Sequence, residues 1–371
     1  MRASQGEIRL ANRTRVLQLI MNGHGTASRA SIARRTGLTS ATVSSIVADL
    51  IEDGFAEDGP AAESTGGKPA TMLRVDRQRL VGAITCDRYR ARSALLDLTG
   101  EIAVGEPKAH PMVRSGQAVV GILRELEAAA DGRLLAVGIA IPGAVSGQVV
   151  HESVQLGLSE VDLGDLARGS STPFHLINDA DAAVLQDYSL RSVRPRSQLL
   201  ITLGHGTGVG IVLNGALHRG DSARVGEIGH VRMDASAGAP LCRCGRRGCL
   251  ESFTAIPYLL DLPEDADLDT TDIEGLAQRP EHADAIDRAA RALSSAILMT
   301  YAAIDVPHVV LGGVAPRLGG WFIDRVREYC RQGHPVGASP VEVEYAVATP
   351  LDHFRGAAEH ALREQLGVCW A

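Results

Sequence analysis

The sequence contains no apolar run long enough to cross a bilayer. Residues 1–25 carry four arginines and no continuous apolar stretch, so nothing there has the pattern of a targeting segment. Cysteine is also scarce, with six in 371 residues. Three of them, Cys86, Cys330 and Cys369, are scattered, which favours free thiols in a reducing compartment over a disulfide framework. We therefore expect a cytoplasmic protein with no membrane partner.

The composition is that of an ordinary globular protein, with 45% hydrophobic and 22% charged residues. A chain of 371 residues exceeds one comfortable core, so two or three domains are expected. The net charge of −7 would argue against a nucleic-acid partner if it were spread evenly. Between residues 2 and 48, however, seven arginines stand against one acid, Glu7. A basic amino-terminal segment on an acidic body is typical of proteins in which one end binds phosphates.

The amino-terminal segment has the pattern of a winged helix-turn-helix. Apolar residues at helical spacing predict a first helix at about residues 8–22, and a second helix opens at Ser28 or Arg29 and runs to Arg35. Residues 36–38 form the turn, and Ser40 is expected to cap a third helix. Residues 55–57 and 71–75 are candidate wing strands on either side of a glycine-rich tip at residues 66–69.

This pattern favours DNA binding, because small hydroxyl side chains begin the third helix and basic side chains flank it. The predicted contacts are Arg34, Arg35, Ser40, Thr42, Ser44 and, on the wing tip, Lys68. Two alternatives stay open. The three helices could form a polar-faced bundle that binds a protein or nothing, and the wing tip could be a solvated hairpin loop.

The rest of the chain alternates β-rich runs with helical stretches in two successive series. Leu134–Ile141 reads as a buried strand, and the second series begins with Gln198–Leu203 and returns at His308–Gly313. The pattern predicts an α/β architecture of two similar lobes. We expect a DNA-binding domain at 1–78, a small lobe at 79–195 and a large lobe at 196–371, whose last helix is able to pack back on the small lobe.

Half of the cysteines fall within eight residues, just after a histidine. His230, Cys242, Cys244 and Cys249 supply one imidazole and three thiolates, which complete a tetrahedral zinc shell. Glycines at 245 and 248 allow the loop to turn back on the metal. A closed site with four protein ligands predicts a structural zinc ion. The alternative is three buried free thiols that happen to be close in sequence.

The same region resembles the signature of the ROK family, which joins bacterial sugar-responsive repressors and sugar kinases. The resemblance lies in Glu-x-Gly-His at 227–230 and Cys-x-Cys-Gly-x-x-Gly-Cys-x-Glu at 242–251, and it extends over essentially the whole chain. It implies an actin-like, ribonuclease H-like ATPase fold behind the winged head. The wing tip also resembles the Gly-Arg-Pro wing of family repressors, with Lys68 in place of arginine.

The resemblance implies a ligand set as well. Asp179 matches the general base of ROK sugar kinases, and Asn178, Glu227, His230 and Glu251 match residues that hold sugar hydroxyls. Carboxylate and amide acceptors of this kind suit a polyol whether or not a reaction follows. If His230 binds zinc through one ring nitrogen, the other can face the sugar. The alternative for Asn178 and Asp179 alone is a helix cap.

The kinase pattern is incomplete. A glycine-rich loop at residues 203–210 matches the second phosphate-binding loop of the kinases, but the Asp-x-Gly-x-Thr of the first is replaced at residues 85–92, where Arg88 and Tyr89 are bulky. We therefore predict no catalytic residue, and we interpret the surviving glycines as structural. The Asn-Leu-Pro-Gly-Trp-like loop of hexose-binding members is also replaced at residues 154–158, where Gln155 is a candidate substitute for the asparagine.

Together these features predict a sugar-responsive transcriptional regulator, with repressor preferred over activator. It would bind operator DNA through residues 8–75 and a sugar or sugar-derivative effector between its lobes, and it would act as a homodimer or homotetramer. The alternatives are a sugar kinase with an added DNA-binding domain and a regulator controlled by a protein partner.

Overall fold

The computed structural model describes residues 4–61, 70–221, 224–334, 339–347 and 354–370. The chain divides into two compact units, one of Met1–Ile177 with Ala357–Ala371 and the other of Asn178–Gly356. The first unit contains the predicted DNA-binding head. The finer division into 1–78, 79–195 and 196–371 stays a prediction. Within the described ranges, no helix is long and apolar enough to span a membrane.

The head consists of three helices and a small antiparallel sheet in the order β1-β3-β2. Gly37 ends the second helix at a φ of 74°, as a tight turn requires. Thr39, not Ser40 as predicted, caps the third helix, because Ser40 already lies in its first turn while Thr39 Oγ1 accepts from the Thr42 N–H. The elements are α1 Gln5–Met21, β1 Ala27–Ser28, α2 Arg29–Thr36, α3 Ser40–Glu52, β2 Ala56–Ala61 and β3 Thr71–Val75.

The body of the first unit is built on a mixed sheet in the order β11-β7-β4-β5-β6, with a smaller antiparallel sheet β10-β9-β8. Strands β4 and β7 are parallel, and β5 is antiparallel to both of its neighbours, β4 and β6. Aliphatic side chains of α4 and the large sheet form the core. The elements are β4 Leu80–Cys86, β5 Arg90–Asp97, β6 Lys108–Pro111, α4 Gly116–Ala130, β7 Leu134–Ile141, β8 Ala144–Ser146, β9 Val149–Ser153, β10 Leu158–Asp162, α5 Leu163–Leu166 and β11 Phe174–Asn178.

The second unit has a mixed sheet in the order β14-β13-β12-β15-β16, with β12 parallel to β15 and antiparallel to β13. Its core lies between this sheet and the long helices α10 and α11. The elements are α6 Asp179–Leu190, β12 Gln198–Leu203, β13 Thr207–Leu213, β14 Ala216–Leu217, α7 Glu251–Thr254, α8 Ile256–Leu259, α9 Ile273–Ala277, α10 Ala283–Ile304, β15 His308–Gly313, α11 Gly319–Gly333 and β16 Glu342–Tyr345.

Short 3-10 helices occur at Glu227–His230, Pro280–His282 and Ala315–Leu318. The last helix, α12 Phe354–Leu366, begins in the second unit and continues into the first. The predicted α/β architecture with an amino-terminal helix-turn-helix is therefore present.

Candidate functional site

Strand β13 brings α6 into place through two glycines. A Cβ on Gly210 would lie 2.3 Å from the carbonyl oxygen of Ala180, and one on Gly208 would lie 3.3 Å from the Ala180 Cβ. Only glycine allows the start of α6 to approach the strand this closely. These glycines belong to the loop that resembles a phosphate-binding motif, and here they serve backbone packing.

The same strand holds the 3-10 helix Glu227–His230 on its backbone. A Cβ on Gly226 would lie 1.9 Å from the Val209 carbonyl oxygen, and one on Gly229 would lie 2.3 Å from that of Thr207. Gly226 also has a φ of 92°, which favours glycine. Strand β13 is therefore the platform that positions both α6 and the Glu-x-Gly-His segment.

Asn178 and Asp179 lie where β11 ends and α6 begins. Asn178 is the helix cap, because its Oδ1 accepts from the N–H groups of Ala180 and Asp181 at 2.8 and 3.2 Å. Asp179 is exposed at the surface. Loss of hydration in the surrounding protein nevertheless raises its pKa to about 6, and the Glu227 carboxylate acts in the same direction. Asp179 is thus the residue of this pair whose charge responds to its surroundings, since Asn178 carries no charge.

Asp181, a second carboxylate of α6 that the sequence analysis missed, also has a raised pKa. Asp181 is 6% exposed, and burial raises its pKa to about 7 although Arg219 Nε lies 3.8 Å from its Oδ2. Its position two residues after Asp179 was the available signal. The Asp179 carboxylate also raises the pKa of Asp181.

Glu227 and Glu251 occupy different environments. Glu227 is exposed at the start of the 3-10 helix, whereas Glu251 is 8% exposed. Glu251 Oε2 accepts from the Thr207 N–H at 3.2 Å, and its Oε1 lies 3.7 Å from Cys242 Sγ. Glu251 therefore joins the glycine-rich loop to the cysteine cluster, and it occupies an N–H group of that loop.

The four candidate metal ligands are brought together in the second unit. The ligand atoms of His230, Cys242, Cys244 and Cys249 all lie within 4.8 Å of one another. Cys242 Sγ is 3.7 Å from His230 Nδ1, and Cys244 Sγ is 3.6 Å from Cys249 Sγ. A tetrahedral ion with bonds of about 2.3 Å to sulfur needs separations of about 3.7 Å, so the donor set fits zinc.

Local backbone geometry explains why the loop can close. Gly245 and Gly248 have φ values of 82° and 74°, in the region that favours glycine. Gly248 also approaches the carbonyl oxygen of Asp234, from which a Cβ would be only 1.9 Å away. Cys242 and Cys249 are buried while Cys244 is exposed. The cluster thus reaches solvent at Cys244, and its loop is shaped by the two glycines.

The segment between β4 and β5, in which the sequence lacks Asp-x-Gly-x-Thr, forms a turn held by the side chain of Asp87. Asp87 Oδ1 accepts from the N–H groups of Tyr89 and Arg90 at 2.7 and 3.0 Å, and its Oδ2 pairs with Arg92 at 2.9 Å. These contacts make a tight turn between β4 and β5. The carboxylate occupies backbone donors of the kind that a phosphate would need.

Gln155 lies in the turn between β9 and β10, in the first unit, and is half-buried. The turn ends at Gly157, whose φ is 67°. Its neighbour Val154 is 79% exposed, whereas Leu156 packs into the core. The match of Gln155 to the asparagine of hexose-binding members stays a prediction.

The candidate DNA contacts lie on one segment of the head. Arg34 and Arg35 are exposed in the last turn of α2, and Ser40 and Ser44 are exposed at the start of α3. Thr42 is half-buried, and its Oγ1 is 2.8 Å from that of Thr39. Lys68 lies outside the described residues.

Ion pairs that the sequence analysis did not foresee neutralise part of the basic segment. Arginines 9, 13 and 29 pair with Asp49, Asp53 and Asp58 at 2.5, 2.6 and 2.8 Å. Arg15 instead donates to the carbonyl oxygens of residues 35 and 36. The arginine excess therefore overstates the positive charge that is available to DNA. Because the other described arginines of this segment have these partners, Arg34 and Arg35 are the leading basic candidates for DNA contact.

Comparisons with known proteins agree with this architecture. Residues 82–361 match the ROK family, and residues 10–60 match the IclR helix-turn-helix domain. The xylose repressor of Bacillus subtilis (strain 168) is 25% identical over 281 residues, which cover 70% of this chain and 69% of that protein. The N-acetylmannosamine kinase of Haemophilus influenzae (strain 86-028NP) is 32% identical over 179 residues, which cover 47% of this chain and 59% of the kinase.

A solved structure matches nearly the full length. The crystal structure of a ROK family transcriptional regulator, a homolog of the E. coli MLC protein, superposes with a TM-score of 0.80 at 22% identity. The match covers 97% of this chain and 96% of that chain. The comparisons confirm the predicted fold, a helix-turn-helix followed by an actin-like α/β body of the sugar-kinase type.

Proposed function

The chain belongs to the ROK family, and on that premise we propose that it is a sugar-responsive DNA-binding transcriptional regulator, a repressor without kinase activity. One observation carries this proposal. Helix α3, which has an exposed face, is joined in the same chain to a body in which Asp87 accepts the backbone N–H groups of the β4–β5 turn. That turn is where a family kinase would have its first phosphate-binding loop. The repressor name of the Bacillus relative supports the same function.

The head would bind operator DNA with α3 in the major groove. Arg34 and Arg35 would contact phosphates, while Ser40, Thr42 and Ser44 would reach base edges or the backbone. Lys68 would add a minor-groove contact from the wing. Because a single head seldom gives enough affinity, we propose that the protein acts as a homodimer or homotetramer on paired half-sites.

The effector would bind in the second unit at Asn178, Asp179, Glu227, His230 and Glu251. Asp179 and Glu227 are exposed and offer carboxylate oxygens to hydroxyl groups. Asn178 Oδ1 is already used by the helix cap, and the Asn178 side chain also hydrogen-bonds the Asp179 carboxylate, so Asn178 would act by orienting that carboxylate toward the ligand. A pentose or an amino sugar is the ligand class that the names of the relatives suggest.

A structural zinc ion would be held by His230, Cys242, Cys244 and Cys249, whose separations suit tetrahedral coordination. When bound, it would act as a rigid cross-link of the loop. Because His230 Nδ1 lies nearest Cys242, the Nε2 of the same ring is free to meet the effector. The chain's own contribution is to hold that ring in a fixed orientation.

The rival function is a sugar kinase with an added DNA-binding domain. Asp179 favours it, because a carboxylate with a pKa near 6 suits a general base. The N-acetylmannosamine kinase relative favours it too. The Asp87 turn and the Thr207–Glu251 contact oppose it, since both occupy backbone donors. A coupled ADP-release assay with sugar, ATP and magnesium separates the two functions, and turnover that disappears in Asp179→Asn would support the kinase.

In vitro selection from a random DNA pool tests DNA recognition directly. The purified full-length chain should enrich a sequence with two-fold symmetry. The double variant Arg34→Ala/Arg35→Ala should lose most of the DNA affinity. Each single variant, Arg34→Ala and Arg35→Ala, is compared with Arg124→Ala, which removes one exposed arginine on α4, outside the head. Failure of the wild type to enrich any sequence would remove the regulator from consideration.

A further inference from the structure

Helix α12 touches the helix that begins with Asp179. Its Gly356 packs against α6 so closely that a Cβ there would lie 1.9 Å from the Ala182 carbonyl oxygen. Ala182 is one turn into α6, and both residues belong to the second unit. A backbone contact of this kind leaves no space for one helix to move toward the other. Displacement of the first turn of α6 therefore acts directly on the start of α12.

The next residue of α12, Ala357, packs equally tightly in the first unit. A Cβ on Gly138 of β7 would lie 1.8 Å from the Ala357 carbonyl oxygen. The side chains of Ala357, Ala358 and Ala361 are completely buried. Small residues packed on backbone allow a helix to shift as a rigid body but not to deform gradually. The helix is thus suited to carry a displacement along its length.

The tail that follows α12 is attached to the first helix of the DNA-binding head. Gln18 on α1 donates from Nε2 to the Cys369 carbonyl oxygen at 2.8 Å and accepts the Cys369 N–H at Oε1, also at 2.8 Å. Thr14 Oγ1 donates to the Leu366 carbonyl oxygen at 3.2 Å. The Trp370 indole fixes the end of the tail by donating to the Leu98 carbonyl oxygen. We call the paired bonds between Gln18 and Cys369 the amide clip.

We propose that α12 transmits occupancy of the effector site to the DNA-binding head, with the amide clip as its contact on α1. This rests on the proposed function, because it takes Asp179 as an effector ligand. The two bonds of the clip are made by one planar side-chain amide, so a small shift of the tail breaks both together. The amide clip is therefore either formed or broken, and both effector binding and DNA binding can shift the balance between these two states.

The first test measures coupling. Operator affinity is measured with and without the best sugar for the wild type, for Gln18→Ala and for the control Gln5→Ala, since Gln5 is an exposed glutamine on the same helix. The coupling ratio is the operator affinity without sugar divided by that with sugar. The wild type and Gln5→Ala should show a coupling ratio on the order of five- to hundredfold. Gln18→Ala should bring the ratio within about twofold of one and keep its sugar affinity. A wild-type ratio in Gln18→Ala would overturn the proposal.

The second test needs neither sugar nor DNA, so it separates failure of this mechanism from failure of the proposed function. Amide hydrogen exchange in α1 is compared in Gly356→Ala, Gln18→Ala and the double variant. Gly356→Ala pushes α12 away from α6 and should speed exchange in α1 by at least about threefold. The same substitution should have no further effect once Gln18 is replaced.

The control substitution is made at a glycine where an added Cβ would meet no other atom. Gly121→Ala on α4, where nothing lies within 4 Å of the new Cβ, should leave exchange in α1 unchanged. If Gly356→Ala does not fold, Ala361→Gly replaces it, because glycine loosens the middle of α12 without adding bulk. Equal effects with and without Gln18, or no effect of either α12 variant on α1, would show that the helix does not act through the clip.

Discussion

Gly210→Ala should damage the second unit through packing, because Gly210 lies under the first turn of α6. The new Cβ would sit 2.3 Å from the Ala180 carbonyl oxygen and 2.6 Å from a methyl group of Val184. Overpacking of this kind costs about 1–3 kcal/mol of unfolding free energy. For a unit of this size, each kcal/mol lowers Tm by roughly 2–4 °C. Thermal unfolding followed by circular dichroism measures the loss.

The matched control is Gly204→Ala, in the same motif. Nothing lies within 4 Å of a Cβ at Gly204, so its Tm should stay unchanged or rise slightly. Effector affinity should likewise fall in Gly210→Ala and not in Gly204→Ala, since only the former shifts the start of α6. If Gly204→Ala proved the more harmful variant, or if both were neutral, the structural interpretation of these glycines would be refuted.

Three further predictions concern the other sites. Replacing Arg34 and Arg35 with alanine should weaken DNA binding on all sequences and reduce the slope of log affinity against log salt by about 0.9 for each lost phosphate contact; an unchanged slope would place the contacts elsewhere. Elemental analysis should find about one zinc per chain, and Cys244→Ser should lose the metal and lower Tm; a metal-free wild type would contradict the assigned ligands. Effector affinity should fall as pH drops through about 6, because protonation of Asp179 removes a charged acceptor, and Asp179→Asn should show no such dependence in calorimetry.

Buried strands were the most predictable part of the fold. Leu134–Ile141, Gln198–Leu203 and His308–Gly313 begin and end as predicted, because continuous apolar runs bounded by turn residues leave little choice of register. The helix-turn-helix was predictable for a similar reason, since Gly37 fixes the turn. The cap was misplaced by one residue because Thr39 and Ser40 are both good caps, and only the backbone decides between them.

The charge network of the head could not be predicted from local sequence. Arg9 and Arg13 pair with acids 40 residues away, so the pairs exist only once α1 packs against α3. The role of Asp87 was hidden for the same reason. Its side chain closes a turn whose shape depends on the pairing of β4 with β5, whereas the sequence revealed only the missing glycine.

The residues assigned to the effector site stay a prediction, whereas the cluster of candidate metal ligands was predictable from sequence. Spacing placed the metal ligands together because the loop is short and its glycines allow it to close. Spacing could not reveal that Glu251 accepts a hydrogen bond from the Thr207 N–H, nor that Asp181, two residues after the exposed Asp179, is a buried carboxylate. Both depend on contacts that β13 creates across the second unit.

The most direct test of regulation is fluorescence anisotropy of labelled operator DNA, obtained by selection, titrated with the full-length chain while single sugars such as D-xylose and N-acetylmannosamine are added. One sugar should weaken operator binding by the wild type. Asp179→Ala should bind the operator normally and need roughly tenfold to hundredfold more of that sugar, as expected for loss of about 1.5–3 kcal/mol. Operator binding that no sugar alters, or an equal response in Asp179→Ala, would contradict the proposed function at this site.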